Sequence, residues 1–143
     1  MARANISPCL ERNFKMDKMS EKEIVEEMKK YKCNSLQMKQ IRLGLESDID
    51  VTKYADPEFN WEQMQEIRTG LEDGLDVSKY ADPKFDWGQM EQIRLGLENG
   101  VDVSEYADPD FNWIEMQSSR EILEERKLEA EKSAKKKEPE LEI

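Results

Sequence analysis

Histidine is absent from this sequence and cysteine occurs only twice. The usual proton shuttle near neutral pH, the commonest zinc and copper ligand and any disulfide framework are therefore missing. Cys9 and Cys33 lie outside the patterned part of the chain and form no metal-ligand spacing, so both read as reduced bystanders, with no metal and no cofactor expected. Apolar residues are also scarce, at 37% against 38% charged. That balance leaves little for a thick globular core and favours a thin, extended one. No run approaches the roughly 18 apolar residues that span a bilayer, and the start of the chain lacks the apolar core of a signal peptide. A cytoplasmic protein with no membrane partner is expected. Positive charge is deficient too: the net charge of −11 repels nucleic-acid phosphates and anionic lipid and favours a partner with a basic surface.

What the chain has in place of these is a repeat. Met38, Met64 and Met90 each open a 26-residue unit without insertions, and Met116 starts a fourth that soon decays. Unit 38–63 shares 16 of 26 positions with unit 64–89, and unit 64–89 shares 16 of 26 with unit 90–115. Each unit holds one strong helix signal. Asn60, Asp86 and Asn112 stand as N-caps with Gln63, Gln89 and Glu115 three residues on, and Asn34 with Gln37 opens the first helix the same way. Trp61, Met64, Ile67 and Leu71 then recur at three- and four-residue steps, which places them on one stripe of a helix about 20 Å long.

Gly74 and Gly100 occupy the position of a left-handed C-terminal cap, which Asp48 takes in the first unit. Asp76 is then expected to cap a single short helical turn over Val77, Ser78 and Lys79, before Asp82-Pro83 reverses the chain. A 26-residue unit of this kind cannot bury its apolar stripe alone. The copies must stack, and the expected fold is all-α: a short α-solenoid of helix and short-helix repeats with helical caps. The expected organisation is a disordered segment over 1–19, an N-terminal capping helix within 20–33, the acidic array over 34–116, a charged C-terminal helix over 117–137 and a tail over 138–143. The capping helix is opened by the box Ser20 and Glu23, with Ile24, Val25, Met28 and Tyr31 as its inner face.

Nine of the eleven aromatic residues are the repeated Tyr54/Tyr80/Tyr106, Phe59/Phe85/Phe111 and Trp61/Trp87/Trp113. Repeated aromatics can stack bases or line a peptide groove, but here they are expected to form the core between repeats, since little else is available to bury. Gly44, Gly70 and Gly96 interrupt helices at a cost of about 0.5–1 kcal/mol each, which implies close approach of the next helix or of the Tyr-Ala-Asp-Pro corner. Arg42, Arg68, Arg94 and Arg120 form a register of single cations, expected to pair with a carboxylate series such as Asp56/Asp82/Asp108 and tie adjacent units together. The Glu72-Asp73-Gly74-Leu75-Asp76 stretch has a passing likeness to a calcium loop, but Leu75 and Val77 fall where oxygen ligands are needed.

Residues 34–116 contain 19 Asp and Glu against 7 Lys and Arg, so the array itself carries the acidity. Asp50/Asp76/Asp102 and Asp56/Asp82/Asp108 recur once per unit, and stacking lays them in rows about 8–10 Å apart. Rows at that spacing imitate a phosphate backbone, although acidic surfaces also serve solubility alone. These six, with Glu62, Glu66 and Glu91 on the helix face, are the candidate partner-binding residues. No catalytic constellation accompanies them.

The string Ile-Arg-x-Gly-Leu-Glu-x-Gly-x-Asp-Val-Ser-x-Tyr-Ala-Asp-Pro-x-Phe-x-Trp, spread over 34–116, resembles a helical tandem repeat of uncharacterised proteins encoded by bacterial mobile elements and phages. The resemblance implies a setting in which small acidic proteins inhibit host nucleases by occupying a nucleic-acid channel. The expected function is accordingly a non-enzymatic, anti-CRISPR-like inhibitor that docks on a basic groove of a protein such as an RNA-guided nuclease. The competing expectation is a general scaffold that binds a peptide or helix in its concave face. The exposed end faces of a repeat stack leave homo-oligomerisation open.

Overall fold

The structure, a computed structural model, describes residues 20–30 and 33–137. The expectations for segments 1–19 and 138–143, for Cys9 and for the inner face of the capping helix lie outside the described residues and side chains. Helix α1 (Glu21–Lys30) is opened by the expected box, in which Ser20 N–H donates to Glu23 Oε1 and Glu23 N–H to Ser20 Oγ. Then come α2 (Ser35–Glu46), α3 (Trp61–Glu72), α4 (Trp87–Glu98) and the long α5 (Trp113–Lys137). A 3₁₀ turn follows each of the three 12-residue helices, at Val51–Lys53, Val77–Lys79 and Val103–Glu105. No strand occurs among the described residues, and each helix packs on the next in chain order. The architecture is an all-α tandem-repeat array with one continuous core running from Cys33 to Met116.

Local chemistry sets the bounds of each unit. Asn34, Asn60 and Asp86 accept from the backbone of Gln37, Gln63 and Gln89, whose side chains return the bond to the cap residue. Each helix ends where the chain turns left-handed, at Asp48 (φ 58°), Gly74 (φ 74°) and Gly100 (φ 73°). Asp50, Asp76 and Asp102 then cap the 3₁₀ turns by accepting from the backbone N–H groups of Thr52, Ser78 and Ser104 and from the hydroxyls of the same residues.

The helical glycines have a direct structural cause. Tyr54, Tyr80 and Tyr106 are almost wholly buried, and their hydroxyls donate to the carbonyls of Gln40, Glu66 and Gln92 at 2.6, 2.7 and 2.6 Å. Each carbonyl lies one turn before Gly44, Gly70 or Gly96. A Cβ there would collide with the tyrosine hydroxyl and with Val51, Val77 or Val103 of the same turn. The glycine is a notch that receives the folded-back corner. Met38, Ile41, Met64, Ile67, Met90, Ile93 and Met116 fill the space between helices, all but Met38 with no exposed surface.

The box glutamines have a second role that pattern reading did not anticipate. Gln37 Nε2 donates to the Phe59 carbonyl at 2.6 Å, Gln63 to Phe85 at 2.6 Å and Gln89 to Phe111 at 2.5 Å, each clamping the corner that leads into the next helix. One amide therefore caps its own helix with Oε1 and holds the next corner with Nε2. The fourth copy carries Glu115, which keeps the box with Asn112 but has no N–H to donate. Two further changes close the array at this end. Ile122 occupies the notch position of Gly44, Gly70 and Gly96, and Ser118 stands where Gln40, Glu66 and Gln92 stand in the earlier helices.

Cys33 belongs to this scheme, contrary to its expected place outside the pattern. It lies 26 residues before Phe59 and is buried at the same position of the core, with its thiol pushed up to about 11 by burial and, secondarily, by nearby Asp56.

Two measurements test these contacts. In urea unfolding, Gly70→Ala is expected to cost about 1–3 kcal/mol through overpacking, despite the gain in helix propensity, and Tyr80→Phe about 1 kcal/mol. Gly70→Ala should cost less in the Tyr80→Phe background, and strictly additive costs would refute the notch. Gln63→Glu should destabilise by about 1–3 kcal/mol by leaving the Phe85 carbonyl without its donor, whereas Glu115→Gln should stay within about 0.5 kcal/mol of the parent.

Candidate functional site

The arginine register ties units together, but not through the aspartates expected from the repeat. Arg68 Nε donates to Gln40 Oε1 at 2.9 Å, Arg94 Nε to Glu66 Oε1 at 2.7 Å and Arg120 Nε to Gln92 Oε1 at 2.9 Å. Each of these bonds reaches 28 residues back to the preceding helix. The other arm of each guanidinium pairs within its own helix, with Glu72, Glu98 or Glu124 at 2.8–3.0 Å. Ser47 and Asn99, at the ends of α2 and α4, donate across to Glu72 and Glu124. The Asp56/Asp82/Asp108 series instead receives the backbone N–H of Glu58, Lys84 and Asp110 at 2.9 Å, which sets the turn at each corner.

The candidate acidic residues therefore fall into distinct surroundings. Asp50, Asp76 and Asp102 are exposed, one per layer, and double as caps. Hydrogen bonds from Ser78 and Ser104 hold the carboxyls of Asp76 and Asp102 below the usual aspartate range, with neighbouring lysines a smaller cause. Those lysines matter for the surface. Lys53 and Lys79 flank Asp76, and Lys79 also faces Asp102, so this row alternates in sign over the first two units. It becomes uniformly acidic in unit 90–115, where Glu105 replaces the lysine and Asp110 replaces Lys84. Asp102, Glu105, Asp108 and Asp110 are all exposed there. Asp56 is only 4% exposed and contributes no surface charge, and Asp82 is half-buried.

Of the helix-face candidates, Glu62 and Glu91 are half-buried, and Glu66 is committed to Arg94. Burial is the main influence on the Glu66 carboxyl and raises its pKa, opposed by the hydrogen bond and charge of Arg94. Its partners in the other layers, Gln40 and Gln92, make the same bond without a charge.

The expectation that all nine repeated aromatics form the core is correct for the tyrosines and for Phe59 and Phe85, and incorrect for the tryptophans and for Phe111, which is exposed where the repeat ends. Trp61 is half-buried, while Trp87 and Trp113 are 45% and 48% exposed. Each stands at the first position of its helix, beyond the end of the packed stripe, where the neighbouring layer covers only part of an indole. Trp113 lies against Gly88, and Asp86, Trp87, Gly88, Glu91 and Trp113 line an open cleft of about 410 Å³. The position was legible in the spacing, but its exposure was not.

Among the described residues no three or more Cys, Asp or Glu side chains are grouped to hold a metal ion, and no helix is long and apolar enough to cross a membrane. No family model matches the chain, and no curated protein or solved structure matches it significantly. The class the fold defines is a tandem-repeat array whose surface offers an acidic C-terminal unit and a partly exposed tryptophan row.

Glu66→Gln tests the buried pair. A carboxyl whose folded pKa is raised contributes stability that is present below its unfolded pKa and lost as pH rises through the folded one. The variant should therefore be at least as stable as the parent at neutral pH, with the difference closing below pH of about 4. A variant less stable at neutral pH than at acid pH, relative to the parent, would show that the Arg94 pair outweighs the burial of Glu66.

Proposed function

We propose that the array works by binding another protein through its acidic surface, as a non-enzymatic inhibitor that occupies the basic nucleic-acid groove of a host defence nuclease. The observation that carries this reading is the exposed acidic patch of unit 90–115, formed by Asp102, Glu105, Asp108 and Asp110. Two of the four positions, those of Asp102 and Asp108, hold aspartate in every unit, but Glu105 and Asp110 do not repair any contact of the fold. They replace lysines that the first two units and the second unit carry at the equivalent places. A surface kept acidic only for solubility has no need to concentrate charge in one unit. Attraction to a basic groove does, because a dense patch steers association and fixes orientation. The resemblance to repeats of mobile elements supports the choice of a host nuclease as partner.

A second reading, a general scaffold that takes a peptide or helix in its concave face, is favoured by the exposure of Trp87 and Trp113.

The double variant Glu105→Lys/Asp110→Lys separates the two, since lysine already stands at the equivalent positions 79 and 84 and the fold accepts it there. Capture from a host lysate with elution by increasing salt should recover a basic nucleic-acid enzyme with the parent chain, released at moderate salt, and at least about tenfold less of it with the variant. Partners that resist salt and bind the variant equally would refute the charge-based reading and leave the scaffold.

A further inference from the structure

Because the units repeat without insertion, a position where one unit departs from the others stands out. The N-cap is Asn34, Asn60 and Asn112 in three helices, but Asp86 in α4. The second helical position carries Leu36, Glu62 and Ile114, but Gly88 in α4. Three residues further along, Lys39, Gln65 and Gln117 are matched in α4 by Glu91. All three departures converge on the cleft of about 410 Å³ between Trp87 and Trp113. One adds a carboxylate, one removes a side chain, and one adds a second carboxylate.

The glycine opens the cleft and leaves an indole as its wall. A Cβ on Gly88 would lie 3.3 Å from Trp113 Cβ and 3.4 Å from its Cγ, and any longer side chain would fill the space between the tryptophans. Gly88 serves no notch of the kind found at Gly44, Gly70 and Gly96, and its φ is not left-handed. Two half-exposed indoles beside two carboxylates form a site for an organic cation: the indole face is the best aromatic partner for one, and the carboxylates supply the opposite charge. The start of α4 presents a partial positive charge of its own, which Asp86 offsets as the cap that accepts from Gln89 N–H at 2.8 Å. An apolar occupant would desolvate Glu91 without compensation, and a nucleotide would bring phosphate into an acidic field.

We propose that the cleft between Trp87 and Trp113 binds an arginine side chain of a partner protein. A guanidinium is planar, stacks on an indole face and presents a fork to carboxylates, which an ammonium does not. Asp86 and Glu91 meet the fork, Trp87 and Trp113 flank the plane, and Gly88 provides the depth. The assignment rests on the protein-binding reading above and names one chemical group that the partner must supply.

The test is an NMR titration of the full chain, following the indole N–H signals of its three tryptophans, with the blocked tripeptide Gly-Arg-Gly and with its lysine and citrulline counterparts. The arginine peptide should shift Trp87 and Trp113 saturably and leave Trp61 in place, with lysine at least about fivefold weaker and neutral citrulline without effect. Gly88→Leu, which restores the kind of residue found at Leu36, should abolish the response, and Glu91→Gln should weaken it about three- to tenfold. Equal responses to arginine and citrulline, equal responses to arginine and lysine, or an undiminished response in Gly88→Leu with Glu91→Gln would overturn the assignment. A failed titration alongside salt-sensitive capture from lysate would remove this cleft and keep the acidic-patch reading. A successful one without such capture would do the reverse.

Discussion

A tyrosine hydroxyl lodged in a glycine notch is the contact on which the other repeated contacts of this array depend. Glycine inside a helix costs about 0.5–1 kcal/mol, and burying a side chain as large as tyrosine recovers about 1.5–3 kcal/mol, with about 1 kcal/mol more from the hydroxyl bond. The exchange is favourable once in each unit, at Tyr54 on Gly44, Tyr80 on Gly70 and Tyr106 on Gly96. By folding the 3₁₀ turn back against the helix it follows, the contact fixes where the Asp-Pro corner lies. The corner in turn delivers the next N-cap. Removing the notch would displace the corner and, with it, the start of the next helix.

Polar side chains keep the layers in register on top of this apolar packing. The box glutamine reaches forward to the corner, and the arginine reaches back 28 residues, so each junction is held from both sides. The apolar contacts between Met and Ile stripes are nearly identical in every layer and would tolerate sliding by a turn. Directional bonds do not. The same bonds explain why the array is finite. Glu115, Ser118 and Ile122 replace the corner clamp, the arginine acceptor and the notch, so α5 offers no seat for a further unit of this kind at its outer face.

Structural duties consume many of the side chains that looked available for binding. Asp56 is in the core, Glu66 holds Arg94, and the Asp50, Asp76 and Asp102 series caps its turns, though from an exposed position. What remains unassigned by the fold is concentrated near the junction of α4 and α5 and the corner between them. There the repeat is broken by added acids and by one missing side chain. Variation within a repeat, more than its shared residues, marks where this chain has room for function.

The sequence by itself determined the period, the bounds of the three 12-residue helices, the capping boxes, the left-handed positions at Asp48, Gly74 and Gly100, and the close approach that the helical glycines imply, whereas the last helix begins at Trp113 instead of at residue 117. All of these depend on residues within about one unit of each other, where backbone geometry leaves few choices. Only the tertiary structure decided that arginine meets Gln40, Glu66 and Gln92 instead of the Asp56 series, that Cys33 occupies a phenylalanine position in the core, and that the tryptophans stand partly in solvent. A repeat guarantees that whatever pairs once will pair again, but it carries no information on the offset between neighbouring helices. That offset is set by how the tyrosine corner and the Met and Ile stripes pack together. It alone determines which side chain lies opposite a given arginine, and how much of an indole at a helix start the next layer covers.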